Sequence, residues 1–209
     1  MHFSDQQIST LDKSFRRNLI NSVTGFKSVA LIGTKSQEGT TNVAPFSQII
    51  HVGADPAMIG VLFRPHTVKR HTLENILTTK VYTINHITAE FLAEVHHTAA
   101  RWQQSEFEAC KLQEEYLEGF EAPFVRNAKI KIGLSLVERL DVQSNGTHLI
   151  IGVIKHLIAP EEVVGKDGFI DLEAAGTLTS SGLDSYHKTK RLARFTYAKP
   201  NVSLKKLLE

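Results

Sequence analysis

The sequence predicts a mainly β protein, an antiparallel Greek-key barrel with peripheral helices, and three observations carry that reading. Two long apolar runs, 129–142 and 147–159, flank Ser144-Asn145-Gly146. Asn-Gly accepts the positive φ of a tight turn, so strand, turn and strand are antiparallel. Shorter strand-like runs are punctuated by Gly39 and by Asp55-Pro56. Strand–helix units do not recur, which disfavours a doubly wound parallel sheet.

The elements follow in order. Leu11, Phe15, Leu19, Ile20 and Val23 recur at helical spacing, so 9–23 reads as an amphipathic helix packed on the body and ended by Gly25. Residues 28–34 form a strand, Gly39 a hairpin turn, 41–52 a polar-studded strand and 58–63 a buried one. In 72–77 the apolar Leu73, Ile76 and Leu77 share a helical face, and 81–87 returns to strand. Thr88 is placed to cap a helix carrying Phe91, Leu92 and Val95. Residues 99–124, rich in Glu, Gln and aromatics, read as a helical insertion over a pocket mouth, broken at Gly119 and Pro123. A connection over 161–176 holds a short strand or helix at 169–172. The tail 180–209 contains a strand-like run at 192–200. The whole, 1–209, is one domain with an N-terminal helical segment (1–24), the insertion and the tail.

Composition narrows the function. The 24 basic and 22 acidic residues are well mixed, without the basic stripe of a nucleic-acid surface. One cysteine, Cys110, excludes an intramolecular disulfide and any multi-thiolate metal site, and in FEACKL it reads as a buried small hydrophobe. The ten histidines include no H-E-x-x-H, and the adjacent His96 and His97 point to different sides of a helix, so no metal is expected. No apolar run approaches a membrane span and no secretory h-region opens the chain, so the expectation is a cytoplasmic protein without membrane contact.

The stretch from Gly39 onward reads as a ligand cradle. An anion needs free N–H groups and positive charge. Thr72 at a helix start offers the first, Asn75 lies one turn on, and Arg64, Lys69, Arg70 and His71 offer the second. The plainer reading makes Thr72 an N-cap and Arg64 a solvated loop residue. A flat polar ring needs peptide dipoles along one edge. Asn42, Val43, Ala44 and Ser47, beside a proline that frees the strand from regular pairing, suit that, although Asn42 also fits a turn and Ser47 an outward strand position. Trp102, with Phe107 and Tyr116, is a candidate roof.

These residues also resemble a family. Asn42-Val43-Ala44-Pro45-Phe46-Ser47, then Asp55-Pro56, then His71-Thr72-Leu73-Glu74-Asn75-Ile76 and Tyr82-Thr83-Ile84-Asn85, are similar to the flavin reductase-like family of FMN-binding split barrels. The likeness runs from about Gly25 to Pro200. It implies a homodimer that binds FMN, or FAD, and moves hydride or electrons between NAD(P)H and flavin. It places Thr41 to Ser47 against the isoalloxazine and Thr72, Asn75 and Arg64 toward the phosphate. Asn85, at a strand end, is a further contact or a structural residue. Ser181 to Lys188 is similar to the family's small-residue turn followed by Tyr, which puts Tyr186 near the flavin or the reductant. Two rivals share the barrel: a pyridoxamine-phosphate-type oxidase, with the basic tail from Lys188 to Arg194 for substrate phosphate, and a non-enzymatic flavin or haem binder using His66, His71 or His86.

Overall fold

The computed structural model describes residues 1–68 and 70–207. It opens with two helices, α1 (Asp5–Thr10) and α2 (Lys13–Val23). They are separate because the Asp12 carboxylate accepts the N–H groups of Ser14 and Phe15, starting α2 afresh. The single helix expected over 9–23 is therefore divided. Its expected packing is corrected too: neither helix buries a residue, and Phe15 and Val23 stay 50% and 70% exposed.

Then come β1 (Lys27–Ser28), β2 (Ala30–Lys35), β3 (Thr41–Phe46), β4 (Ile49–Ala54) and β5 (Ala57–Phe63). The strand expected over 41–52 is two strands. Phe46 is the last residue of β3 paired with β2, and beyond Ser47 and Gln48 the chain pairs with β5 instead. There follow α3 (His71–Thr79), β6 (Val81–His86), a 3-10 turn (Ala89–Phe91) running into α4 (Leu92–His97), α5 (Glu106–Ala109), β7 (Glu114–Leu117), β8 (Phe120–Val125), β9 (Lys131–Val142) and β10 (Thr147–Ile158). A second 3-10 turn (Glu161–Val163), β11 (Thr179–Ser181) and β12 (Ser185–His187) complete the order.

Seven strands form one sheet in the order β3-β2-β6-β9-β10-β5-β4, every pair antiparallel. The β9–β10 hairpin forms as expected, but of the turn pair only Gly146 takes positive φ, at +71°, while the Asn145 Oδ1 accepts the N–H of Thr147. Strand alternation divides the core into two layers. Ala30, Ile32, Tyr82, Ile84, Leu134 and Ile150 point inward, where α3 adds Leu73 and Ile76. Val29, Leu31 and Val43 point the other way and meet Val95 of α4 and Phe107 of α5.

The helical insertion expected over 99–124 is mostly not helical. One short helix, α5, is followed by the hairpin β7–β8, turning at Gly119 with φ +74°. That hairpin lies on the outer face of β6. Thr83 donates to the Pro123 carbonyl (2.6 Å), and the N–H of Val125 donates to the Asn85 carboxamide (2.9 Å). Residues 169–172 form neither strand nor helix beyond an isolated bridge, Val164 to Ile170. The run 192–200 contributes only the bridge from Phe195 to Lys206. Instead of a strand, charge holds the tail: Arg191 meets Asp171 at 2.7 Å, and Arg194 meets Asp167 at 2.6 Å while lying 3.8 Å over the Phe169 ring. Among the described residues no helix is long and apolar enough to cross a membrane.

Candidate functional site

β3 is an edge strand, paired with β2 alone, and its alternation sends the predicted ring-binding residues to two faces. Asn42 and Ala44 share the face toward α3; Thr41, Val43 and Pro45 share the other. In an antiparallel ladder alternate residues turn both backbone groups away from the partner. Val43 is such a residue, since its N–H leaves the sheet to reach Glu106, and Pro45 follows in the same phase. The proline therefore stands on the unpaired side, where its missing N–H costs the ladder nothing.

On the α3 side lies a buried polar knot. The Asn42 amide donates to the Thr72 hydroxyl (2.9 Å) and, at 3.4 Å, to the Thr34 hydroxyl, which also accepts from the Asn75 amide (3.1 Å). All four residues are buried. Thr72 is thus not the N-cap that the local sequence suggests. Arg70 occupies that position, Thr72 is the second residue of α3, and among the described residues no side chain caps the helix. The positive charge of the first turn and its free N–H groups are left for another partner. Arg64 is exposed and has no ion-pair partner among the described residues, and the Arg70 Nε donates to the Pro65 carbonyl at 3.1 Å. Lys69 lies outside the described residues.

On the other side the segment 102–114 closes in. Its residues, α3 and the β2–β3 hairpin enclose a cleft of about 430 Å³ whose wall includes Thr41, Asn42, His71, Asn75, Trp102 and Glu106. The Thr41 hydroxyl donates to Glu114 (2.6 Å) and lies 2.9 Å from the Ser105 hydroxyl. The Glu106 carboxylate accepts the Val43 N–H at 3.2 Å. Burial pushes the Glu106 carboxyl above the usual range, against the pull of its own N–H, that of Val43 and the nearby His71.

The remaining predicted residues separate. Ser47, just past β3, is half-buried, and its hydroxyl has no protein partner among the described residues. Tyr186 bonds to His96 Nδ1 (2.9 Å) and packs against the outer core layer, away from the cleft wall. Asn85 has no exposed surface. Its amide donates to the Leu31 carbonyl and the Thr83 hydroxyl while its carbonyl takes the Val125 N–H, so it is a structural tie and the cofactor role given to it is corrected. Of the proposed roof, Trp102 lines the cleft, Phe107 is buried in the core and Tyr116 sits at the surface under Lys35. Cys110 is buried in the outer core layer. His96 and His97 diverge as expected, one to Tyr186 and the other onto Trp102. His86 faces the Thr177 hydroxyl at 3.3 Å, and burial pulls its pKa down to about 4.

Sequence reasoning missed Thr34, Ser105, Glu106 and Glu114. The one local signal was a threonine closing the apolar run Ser28 to Thr34. Nothing near Glu106 marks it, because its partner is 63 residues away.

The fold agrees with what comparison shows. Residues 26–171 match the flavin reductase like domain, and the chain belongs to that family. It is a flavin-related reductase by family, on a split barrel. A protein from Shewanella frigidimarina NCIMB 400 assigned as a flavin reductase with split barrel domain is 44% identical, with 95% of this chain and all of that one covered, at a TM-score of 0.91. Nitrilotriacetate monooxygenase component B from Bacillus cereus has the same fold at 21% identity, with 93% and 98% covered and a TM-score of 0.81. A protein from Aquifex aeolicus (strain VF5) is 28% identical over 128 residues, which is 59% of this chain and 64% of the length of that curated relative.

Proposed function

We propose that this chain binds FMN and passes hydride from NAD(P)H to the flavin, as a cytoplasmic homodimer. The observation that carries the reading is the uncapped first turn of α3, held against β3 by Asn42 and Thr72 and flanked by Arg64 and Arg70. A phosphate dianion satisfies such a turn, and the fixed N–H groups need no reorganisation to receive it. No adenosine-binding fingerprint accompanies the turn, which favours FMN over FAD. Bound flavin supplies the redox chemistry itself, accepting hydride and releasing electrons onward.

The protein's part is to hold and orient. The Asn42–Thr72–Thr34–Asn75 knot fixes the anion end relative to the strand. Ser47 and the β3 edge present a hydroxyl and peptide dipoles at the ring end. No acid–base pair is needed, since positioning supplies the main advantage in hydride transfer. The dimer reading draws on apolar surface that one chain leaves uncovered, including Val137, Leu140 and Val142 on β9 and the α2 stripe. The pyridoxamine-phosphate-type rival loses two of its basic residues, because Arg191 and Arg194 are engaged by Asp171 and Asp167.

The test is a set of titrations of flavin-free protein with FMN, FAD, riboflavin and haem. FMN should bind more tightly than the others. Riboflavin binding as tightly as FMN would remove α3 as the phosphate site, and a Soret band with no flavin binding would replace the reading with the haem one.

A further inference from the structure

The same edge that would meet the flavin ring is already engaged from within. Two successive outward-facing residues of β3 are tied by one segment: Thr41 by Ser105 and Glu114, and Val43 by Glu106. These ties are unlike the ones that fix the fold. Asn85 and Thr83, which hold β8 to the sheet, are completely buried, whereas Thr41 and Glu106 line the cleft and are only half-buried. The helix that carries Glu106 is a single turn, anchored through Phe107 in the outer core layer. A one-turn helix has little stability of its own, so its solvent-facing side moves at small cost while Phe107 stays seated.

We propose that Glu106 is a displaceable latch, whose carboxylate holds the outward N–H of Val43 until a carbonyl of the incoming flavin ring takes over that donor. This rests on the flavin reading above. The carboxylate and a ring carbonyl are both acceptors, so one excludes the other at this N–H. The ionised carboxylate is the stronger acceptor, and a protonated carboxyl holds the N–H less well. The latch therefore loosens as pH falls.

The charged groups around the carboxylate set where that happens. His71 of α3, with the N–H groups of Glu106 itself and of Val43, favours the ionised form; Glu74 and Glu38 line the same cleft, Glu114 of β7 bonds to Thr41 beside it, and Glu94 of α4 lies with Glu106 near Cys110. Burial favours the protonated form and outweighs these pulls, so release falls above the usual carboxylate range. The consequence is a site that accepts flavin faster in mildly acidic than in neutral solution.

Two measurements on wild type, Glu106→Gln and Glu106→Ala test this, the first without any flavin. Hydrogen exchange at the Val43 amide, corrected for intrinsic pH dependence, should be at least tenfold faster in Glu106→Ala than in wild type. The β2-facing amides of Asn42 and Ala44 should be unchanged and serve as the folding control. Stopped-flow FMN association, read by fluorescence quenching from pH 8 to pH 5, should accelerate about threefold or more in wild type. Glu106→Ala should be fast and flat with pH, and Glu106→Gln should be flat as well, since its amide does not titrate in this range. Equal Val43 exchange in wild type and Glu106→Ala overturns the latch. So does slower or weaker FMN binding in both variants, which would make Glu106 a cofactor contact. If exchange behaves as expected but no variant binds flavin, the internal tie stands and the flavin reading fails.

Discussion

The Asn42 amide donates to the hydroxyl of Thr72 at 2.9 Å, joining the edge strand to the second residue of α3. Thirty residues apart in sequence, the two set the helix's open first turn against the start of the strand that leads to Pro45. The same hydroxyl keeps a hydrogen to donate, which connects stability with ligand binding in one residue.

Thr72→Ala should separate the two contributions. Loss of the acceptor strands a buried amide and should lower stability by about 1–2 kcal/mol in urea unfolding. FMN affinity should fall by roughly one to two decades if the hydroxyl meets phosphate, while riboflavin affinity barely changes. Thr72→Ser should restore both. An equal loss for the two flavins, or none for either, removes Thr72 from the site.

Gly33 shows how closely the β7–β8 hairpin sits on the sheet. A Cβ at this position would overlap the Pro123 carbonyl oxygen and stand 2.6 Å from the Thr83 hydroxyl oxygen. Backbone cannot move aside as a flexible side chain can. Gly33→Ala should therefore cost about 1–3 kcal/mol by overpacking, read as a lower urea midpoint. Wild-type stability in that variant would mean that the hairpin packs elsewhere.

His86 makes stability depend on pH in a defined window. Its pKa is about 4 in the fold against an ordinary 6.5, because burial disfavours the charged ring. The unfolded chain then binds the proton first, so stability is fully present above about pH 6.5 and is lost as pH falls toward 4. At pH 5 the loss should be on the order of 1–2 kcal/mol, less than full burial would give because the residue is half-buried. His86→Gln should flatten the fall in Tm between pH 7 and pH 5 relative to wild type. An unchanged slope would show that His86 does not carry it.

The dimer reading predicts a concentration-independent dimer by light scattering in the micromolar range. Val137→Ser combined with Leu140→Ser should shift it toward monomer and weaken flavin binding. Full flavin occupancy in a protein that stays monomeric would contradict the dimer reading.

What the sequence determined by itself is local in origin. Asn145-Gly146 made the long hairpin, Gly39 the short one, Leu73 and Ile76 the buried face of α3, and the ordered run from Asn42 to Asn85 the family. Each depends on neighbours within a few residues, through turn chemistry or side-chain period. Tertiary structure decided the rest. Composition made 99–124 look helical, yet Pro123 and Gly119 fit a hairpin once Thr83 and Asn85, about 40 residues earlier, supplied polar partners on an otherwise apolar sheet. The same contact turned Asn85 from a cofactor contact into a tie. Thr72 lost its cap role because α3 begins at His71 with Arg70 at the N-cap, leaving the Thr72 hydroxyl to accept a buried amide from β3, and α2, expected to pack on the body, buries none of its residues. Glu106 could not be found in the sequence at all: an acidic residue on one helical turn acquires meaning only when an unpaired strand edge is brought to it, and strand edges exist only after the sheet has formed.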